Sequence, residues 1–419
     1  MTAVVGILNK QGVAIAADSA VTVNGHGNRK VYNSANKIFT LSKYHPVGIA
    51  IYNSAQIMGI PWEILIKEYR KQLGQNSFST LADYKDDFFK FLADNRYFLE
   101  TENNNYLFSE LLEFVQMILN HHLFNAGMRG GTNPNDLIKQ QIEHYKTNEQ
   151  PKYEILTSLN GIDEIKIKQL LGSMIPEVAN ILSQNFGTVI DKSIFETELT
   201  DVFYSYLHRN HFVQYTGLIF TGYGDKEIYP RLITVNCSLV IDSKLRFFED
   251  KKKEAIISDQ PNSCIRPFAQ TDVIDTILQG ISPELGDISR NVFGDFIVGF
   301  IDTIKTIPGM PSKVISSLNT INPVNYVNDY MRQMSTIINH KYVSPLMGAV
   351  SQLSKEDLAE MAESLVYLTY LKRRFTMAEE SVGGPVDIAV ITKGDGFIWI
   401  KRKHYFNPEL NQSFFQKYF

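Results

Sequence analysis

The first eighteen residues constrain this chain more than any other stretch. Val4-Val5-Gly6-Ile7-Leu8 and Val13-Ala14-Ile15-Ala16-Ala17 are short, β-rich apolar runs of matched length, separated by Asn9-Lys10-Gln11-Gly12. Such a pair around a Gly-containing turn predicts an antiparallel hairpin. With Lys10 and Gln11 as the loop, paired residues sum to 21 and Asp18 lies opposite residue 3. A bulged turn using Gly12 moves that partner to residue 4. Either register carries Asp18 back to the chain start, but a slip of one residue reverses the face it presents.

Thr2 sits at that start, directly after Met1. Methionine is normally trimmed before a small residue. Thr2 would then carry a hydroxyl and a free α-amine, whose reference pKa of about 7.7–8.0 lets it accept a proton near neutrality. The residue becomes its own nucleophile and base. A Thr at position two is inert in most chains, so the sequence downstream must decide. Asn36-Lys37-Ile38-Phe39 opens another β-rich run with a lysine, and His45 to Ala55 reads as a buried strand ending in small polar residues. From about Gln56 to Leu73 the pattern is helical, with Ile57, Ile60, Ile64 and Leu65 on one stripe.

Thr at the start, Ala-Ala-Asp-Ser closing the second strand, Lys-Ile opening the third and a small-residue turn before a helix form an ordered set. In that order the sequence resembles the proteasome β-subunits and the bacterial proteasome-like peptidases, which are N-terminal-nucleophile hydrolases. The resemblance resumes downstream. Thr216 to Asp225 is similar to the family's next central strand, Ile228 to Val240 to its return strand and Pro267 to Gly280 to its third helix. Leu365 to Phe375 is similar to the fourth helix, and Val382-Gly383-Gly384-Pro385-Val386-Asp387 with the following IAVITKGDGFIWI to the closing hairpin. About half the chain is covered.

The resemblance implies an α+β fold, a four-layer αββα sandwich formed by about residues 2–73, 213–280 and 355–405. Two insertions fall at about 74–212 and 281–354. In the first, Leu111–Phe124, Ile165–Leu182 and Ile194–Leu207 look helical, Pro176 kinks or restarts the second of these, and Lys139–Lys152 looks polar and exposed. In the second, Ile288–Ile304 and Val324–His340 look helical around a break at Pro308–Pro311. Neither is bordered by a Pro/Gly/Ser-rich linker, so both are expected to pack on one core.

The resemblance also assigns a site. Thr2, Asp18 and Lys37 fall on the family's catalytic Thr, Asp and Lys, with a small insertion in the loop Asn24–Ala35. Thr2 would attack an amide carbonyl, its amine would carry the proton, Lys37 would hold positive charge nearby and Asp18 would orient Lys37. The supporting carboxylate, four residues before the first Gly of the Gly-Gly turn, falls on Glu379, and the supporting hydroxyl falls beside Ser381. Where the family's oxyanion donor is a Gly N–H, this turn reads Tyr52-Asn53-Ser54-Ala55, and Asn53 is the residue best able to adopt positive φ. Thr22 matches a position whose backbone pairs with extended substrate. Ala269-Gln270-Thr271 stand where the family has Ser-Gly before the third helix, with Gln270 a possible polar contact.

Composition narrows the alternatives. With 41 Lys and Arg against 45 Asp and Glu the net charge is -4, without the basic footprint of a nucleic-acid binder. Cys237 and Cys264 cannot make a disulfide framework or a four-thiolate zinc site. His121-His122 and His208 with His211 have no carboxylate or thiolate cluster beside them, so no metal and no cofactor is expected. Gly222-Tyr223-Gly224 lacks the ending of a phosphate loop, Lys251–Lys253 reads as a solvated turn, and Trp62 and Trp399 lie on core-like patterns. No apolar run approaches the roughly 18 residues of a membrane span. No secretion signal is evident, so a cytoplasmic location is expected. The expected function is amide or peptide-bond hydrolysis by an N-terminal threonine in a homo-oligomer. The resemblance also raises an ATP-dependent unfoldase as a partner, to which no residue points. A catalytically inactive proteasome-like scaffold or interaction subunit and a small-molecule amidase or acylase stay open as alternatives.

Overall fold

Lys10 and Gln11 form the loop of the first hairpin, and pairing runs from Val4 opposite Ala17 to Asn9 opposite Gly12. The computed structural model describes residues 3–25, 28–93, 97–98, 100–120, 122–376 and 382–413. The chain divides into two units, residues 1–38 with 255–419, and residues 39–254.

The first unit begins with strands β1 (Ala3–Asn9), β2 (Gly12–Ala17), β3 (Val21–Gly25) and β4 (Asn28–Tyr32). The second takes up β5 (Ile38–Thr40) from Phe39 onward, then β6 (Val47–Asn53), β7 (Gln56–Ile57) and β8 (Ile60–Pro61). Among the described residues the α-helices that follow in it are α1 (Trp62–Leu73), α2 (Leu81–Leu92), α3 (Glu100–Leu119), α4 (His122–Arg129), α5 (Pro134–His144), α6 (Glu164–Phe186) and α7 (Glu196–Leu207). Strands β9 (Thr216–Gly222), β10 (Arg231–Ile241) and β11 (Lys244–Glu249) complete it. The chain then re-enters the first unit with β12 (Ala255–Ile256), β13 (Ser263–Ala269), α8 (Asp272–Gln279), α9 (Pro283–Lys305), α10 (Ser312–Asn319), α11 (Pro323–Ile338), α12 (Ser344–Val350) and α13 (Lys355–Phe375). It closes with β14 (Asp387–Thr392) and β15 (Gly396–Lys401). The fold is thus a mixture of helices with largely antiparallel sheets.

In the first unit the sheet order is β13-β1-β2-β14-β15, every neighbour antiparallel. β1 and β2 are buried along their whole length, which is why they are apolar on both faces. α13 packs across β1, β2 and β14, with Leu358, Ala362 and Val366 against Val5, Ile7 and Ala16. A capping box of Ser354 and Asp357 starts α13 well before the expected Leu365. Pro267, expected to begin a helix, lies in β13 opposite Val5. β13 is at the edge of this sheet, where a missing N–H is harmless, and the helix starts at Asp272. Gly12 takes no part in the loop. A Cβ there would lie 2.8 Å from the Ile391 carbonyl oxygen, so glycine is what lets β14 close on β2. Residues 24–35, expected as a loop, include β4, which pairs with β3.

In the second unit the sheet order is β11-β10-β9-β6-β5, over a core that includes Trp62, Phe88, Phe114, Phe203 and Phe220. α1 starts at Trp62 rather than Gln56, because Met58 and Gly59, both at positive φ, turn the chain between β7 and β8. Ile64 is accordingly exposed, and the buried stripe is Trp62, Leu65, Ile66 and Tyr69. Most of residues 139–152 are exposed or half-buried as expected, while Gln141, Ile142 and Tyr145 face inward, continuing the buried stripe that α5 opens with Leu137 and Ile138. α3 begins at Glu100, earlier than the apolar run from Leu111, and α6 passes through Pro176 as one helix. Arg246 on β11 is fully buried. Its guanidinium donates to the carbonyls of Tyr206, Leu207, Arg209 and His211 and pairs with Glu110 at 3.5 Å. The Tyr206 and Leu207 carbonyls end α7, where helices leave acceptors unsatisfied, and those of Arg209 and His211 follow it, so one cation ties α7 and α3 to the sheet.

Two outcomes follow. Gly12→Ala should cost about 1–3 kcal/mol of stability by urea denaturation, because the added Cβ meets backbone that cannot rotate away. Burial, with the neighbouring Glu110 charge, raises the Glu113 carboxyl to about 7. A raised carboxyl binds its proton more tightly folded than unfolded, so its contribution is lost as pH rises through about 7. Glu113→Gln should therefore raise Tm more at pH 8 than at pH 5.

Candidate active site

Asp18 follows β2 directly, and its backbone N–H donates to the Ala3 carbonyl at 3.1 Å. Its carboxylate turns back on the same partner. Oδ1 accepts from the Ala3 N–H at 2.9 Å and from the Lys37 ammonium at 2.6 Å. Oδ2 accepts from the N–H of Ala20 at 3.1 Å and of Gly383 at 3.0 Å. Lys37 also donates to the Ala20 carbonyl at 2.6 Å. Asp18 and Lys37 are 2% and 3% exposed, and charges so deep are tolerated only when paired and hydrogen-bonded. Burial pushes the Lys37 ammonium below its ordinary range. Asp18 opposes that shift, and the Lys403 charge adds to it.

The walls of this knot are backbone. The Ser19 N–H donates to the Gly383 carbonyl at 3.0 Å, the Ala35 N–H to the Ser19 carbonyl at 3.1 Å, and the Ser19 hydroxyl to the Pro385 carbonyl. Gly384 has φ of 76°, and a Cβ there would come within 2.8 Å of the Asn33 Cβ, so the second glycine of the Gly-Gly turn is required on two counts. Ala269, opposite Ala3 across the β1–β13 pairing, has φ of 64°. A left-handed non-glycine residue costs on the order of 1–3 kcal/mol, and here it lies beside the chain start.

A second ion pair, between buried Asp387 and half-buried Lys403, is marked by no motif. Asp387 heads β14 opposite Ala17; the Lys403 N–H donates to its Oδ1 at 2.8 Å and the Lys403 ammonium to Oδ2. A lone acid opening the apolar run Ile388 to Ile391 was the available signal. Gly383 as a donor to Asp18 was also missed, although the Gly-Gly turn was recognised.

The structure brings Asp18 and Lys37 together. Thr2, Glu379 and Ser381 lie outside the described residues. Thr22 is on β3, paired with Val31. Asn53 ends β6 in the second unit, exposed, with φ of 65°, the left-handed backbone for which it was singled out. Gln270 is buried and accepts from the guanidinium of Arg373 on α13. Among the described residues no group of three or more His, Cys, Asp or Glu is placed to hold a metal ion. His208 Nδ1 lies 2.9 Å from the Tyr204 carbonyl, and His211 stacks on Tyr153 with Nδ1 2.8 Å from the Tyr145 hydroxyl. Both cysteines are buried, and burial raises their thiol pKa values. Trp62 is core, but Trp399 lies on the edge strand β15, half-buried, with the Arg402 guanidinium 4.8 Å from its ring centre. Among the described residues no helix is long and apolar enough to cross a membrane.

No protein-family model matches the sequence, and no curated protein matches it. The solved structures to which it is similar include three forms of one protein. The Anbu (Gly-1) mutant from Hyphomicrobium sp. strain MC1 is 10% identical, with 100% of this chain and 94% of that one covered and a TM-score of 0.27. Anbu (ancestral beta-subunit) from Yersinia bercovieri is 9% identical, with 99% and 94% covered and a TM-score of 0.26. The helical assembly of the Anbu complex from Pseudomonas aeruginosa is 8% identical, with 99% and 93% covered and a TM-score of 0.27. At such scores the site must be argued from the chain's own geometry.

Lys37→Met should lower stability by about 3–5 kcal/mol in urea, because it leaves a buried carboxylate without its cation. Asp18→Asn should do likewise, and the double variant should cost less than the sum of the two.

Proposed function

We propose that this chain is a threonine-type N-terminal-nucleophile hydrolase that cleaves amide or peptide bonds. The observation that carries the proposal is the Asp18 carboxylate, which in one buried place binds the Lys37 ammonium and the Ala3 N–H. Ala3 is joined to Thr2 by a single peptide bond. In this proposal the Thr2 hydroxyl attacks the substrate carbonyl, and the Thr2 amine takes its proton and gives it to the leaving amine. An acyl-enzyme forms, and water releases it by the reverse proton route. Lys37 supplies positive charge that favours a neutral amine and a more acidic hydroxyl. Asp18 holds that charge in place against the burial that disfavours it. The Asn53 N–H serves as oxyanion donor, Glu379 and Ser381 support the nucleophile, and the Thr22 backbone pairs with extended substrate. The four-layer αββα arrangement, with its core of about 2–73, 213–280 and 355–405 and insertions at 74–212 and 281–354, belongs to the same proposal, as do the homo-oligomer and the cytoplasmic location.

One observation favours a second reading. The Asp18–Lys37 pair is buried deeply enough to be explained by folding alone, as in a catalytically inactive scaffold. Asp18 and Lys37 variants therefore confound activity with stability, and Thr2 is the residue to change. Protein from its native host should show an intact mass without Met1. Thr2→Ala should abolish hydrolysis across a panel of peptides and small amides with Tm preserved, and Thr2→Ser should retain part of it, since the hydroxyl survives. Unchanged turnover in Thr2→Ala, or a retained Met1, overturns the threonine mechanism. A wild type that hydrolyses nothing, with Thr2→Ala keeping full biological effect, establishes the scaffold instead. Cleavage of small amides alone would assign an amidase.

A further inference from the structure

The second helical insertion carries more apolar surface than its own packing uses. α9 has two apolar faces. One is occupied by α11: Phe293 stacks on Tyr330 with ring centres 4.5 Å apart, and the Ser289 hydroxyl lies 2.8 Å from the Tyr330 hydroxyl. The other is a stripe of Leu285, Ile288, Val292, Phe296 and Phe300, spaced three and four residues apart along one side of the helix. Val292, Phe296 and Phe300 are 61%, 63% and 56% exposed. Among the described residues of α9 only Ile301 is buried, and none of α10 or α11 is.

We propose that this stripe is the contact by which two copies of the chain associate, α9 lying antiparallel on α9 about a two-fold axis. Charge selects that occupant. Residues 281–354 contain five Asp and Glu and five Lys and Arg, so the segment is neutral and meets itself without net repulsion. An anionic membrane would call for a basic excess, and a strongly charged partner for the opposite sign; the segment offers neither. Shape selects it as well. Gly299 lies in the stripe beside Phe296 and Phe300, and a Cβ there would meet nothing within 4 Å. Aromatic knobs and an open notch on one stripe are self-complementary, so each Phe296 seats at the partner's Gly299 position. The area is adequate. Five side chains about half exposed, at roughly 200 Å² each, present on the order of 500 Å² of apolar surface. A standard interface of about 800 Å² per partner needs about that much, since roughly 60% of it is apolar. The inference gives a contact to the homo-oligomer of the proposed function, and its test reads association, not hydrolysis, so it can fail while the hydrolase reading stands.

Sedimentation velocity on the full chain at micromolar concentration is the test, with Val292→Asp and Phe296→Asp as separate variants. Both residues are exposed, so circular dichroism and Tm should match wild type. The wild type should be a dimer or larger, and each variant should shift association toward monomer by about tenfold or more. Should either variant fail to fold, hydrogen exchange of wild-type α9 decides: protection that rises with protein concentration supports the contact, and protection that does not overturns it. A monomeric wild type, or an oligomer that neither variant weakens, also overturns it. So does a monomer that binds neutral phosphatidylcholine vesicles through α9, which would make lipid the occupant.

Discussion

A carboxylate sealed from water has to find donors, and the first unit is arranged around the donors that Asp18 finds. Its four partners come from the chain start, the turn after β2, the residue opening β5 and the Gly-Gly turn before β14. These lie far apart in sequence, up to 365 residues for Gly383. Losing any of them removes a donor from a charge whose desolvation costs several kcal/mol. The surrounding geometry serves the same end. Gly384 permits the turn that lets Gly383 face Asp18, and Gly12 lets β14 approach β2 so that the turn is in reach.

The second unit uses the same physics with the sign reversed. Arg246 is a buried cation whose acceptors are the carbonyls ending α7 together with Glu110 on α3. Much of this unit is helix, and helices packed on a sheet need a fixed anchor as well as apolar packing. Burial raises the Glu110 carboxyl even beside Arg246, which shows how strongly this interior disfavours charge. The two long helical segments differ in how far they are satisfied. The first is stitched to its sheet through Arg246 and a continuous aromatic core, whereas α9 to α11 bury almost none of their own side chains. Neutral charge and an exposed apolar stripe are the properties of a surface made to be covered by another molecule.

The sequence by itself determined the first hairpin and the return of Asp18 to residue 3 or 4, because matched β-rich runs and turn chemistry are local and strong; the structure chose the two-residue loop and Ala3. It also singled out Lys37 as Asp18's companion, Asn53 as a residue suited to left-handed backbone, and the helical character of both long segments, 74–212 and 281–354. Element starts were less legible. The helix expected from Gln56 begins at Trp62, and Pro267 proved to be strand, because a turn at positive φ and an edge position in a sheet leave no periodic signature. What only the tertiary structure decided was partnership across distance. Within the largely exposed run 139–152, only packing showed that Gln141, Ile142 and Tyr145 face inward. Gly383 as a donor to Asp18, the Asp387–Lys403 pair and Arg246 closing α7 all join residues whose local sequence carries no trace of the partner. Burial creates the demand for a hydrogen bond or a counter-charge, and only the folded chain determines which distant group meets it.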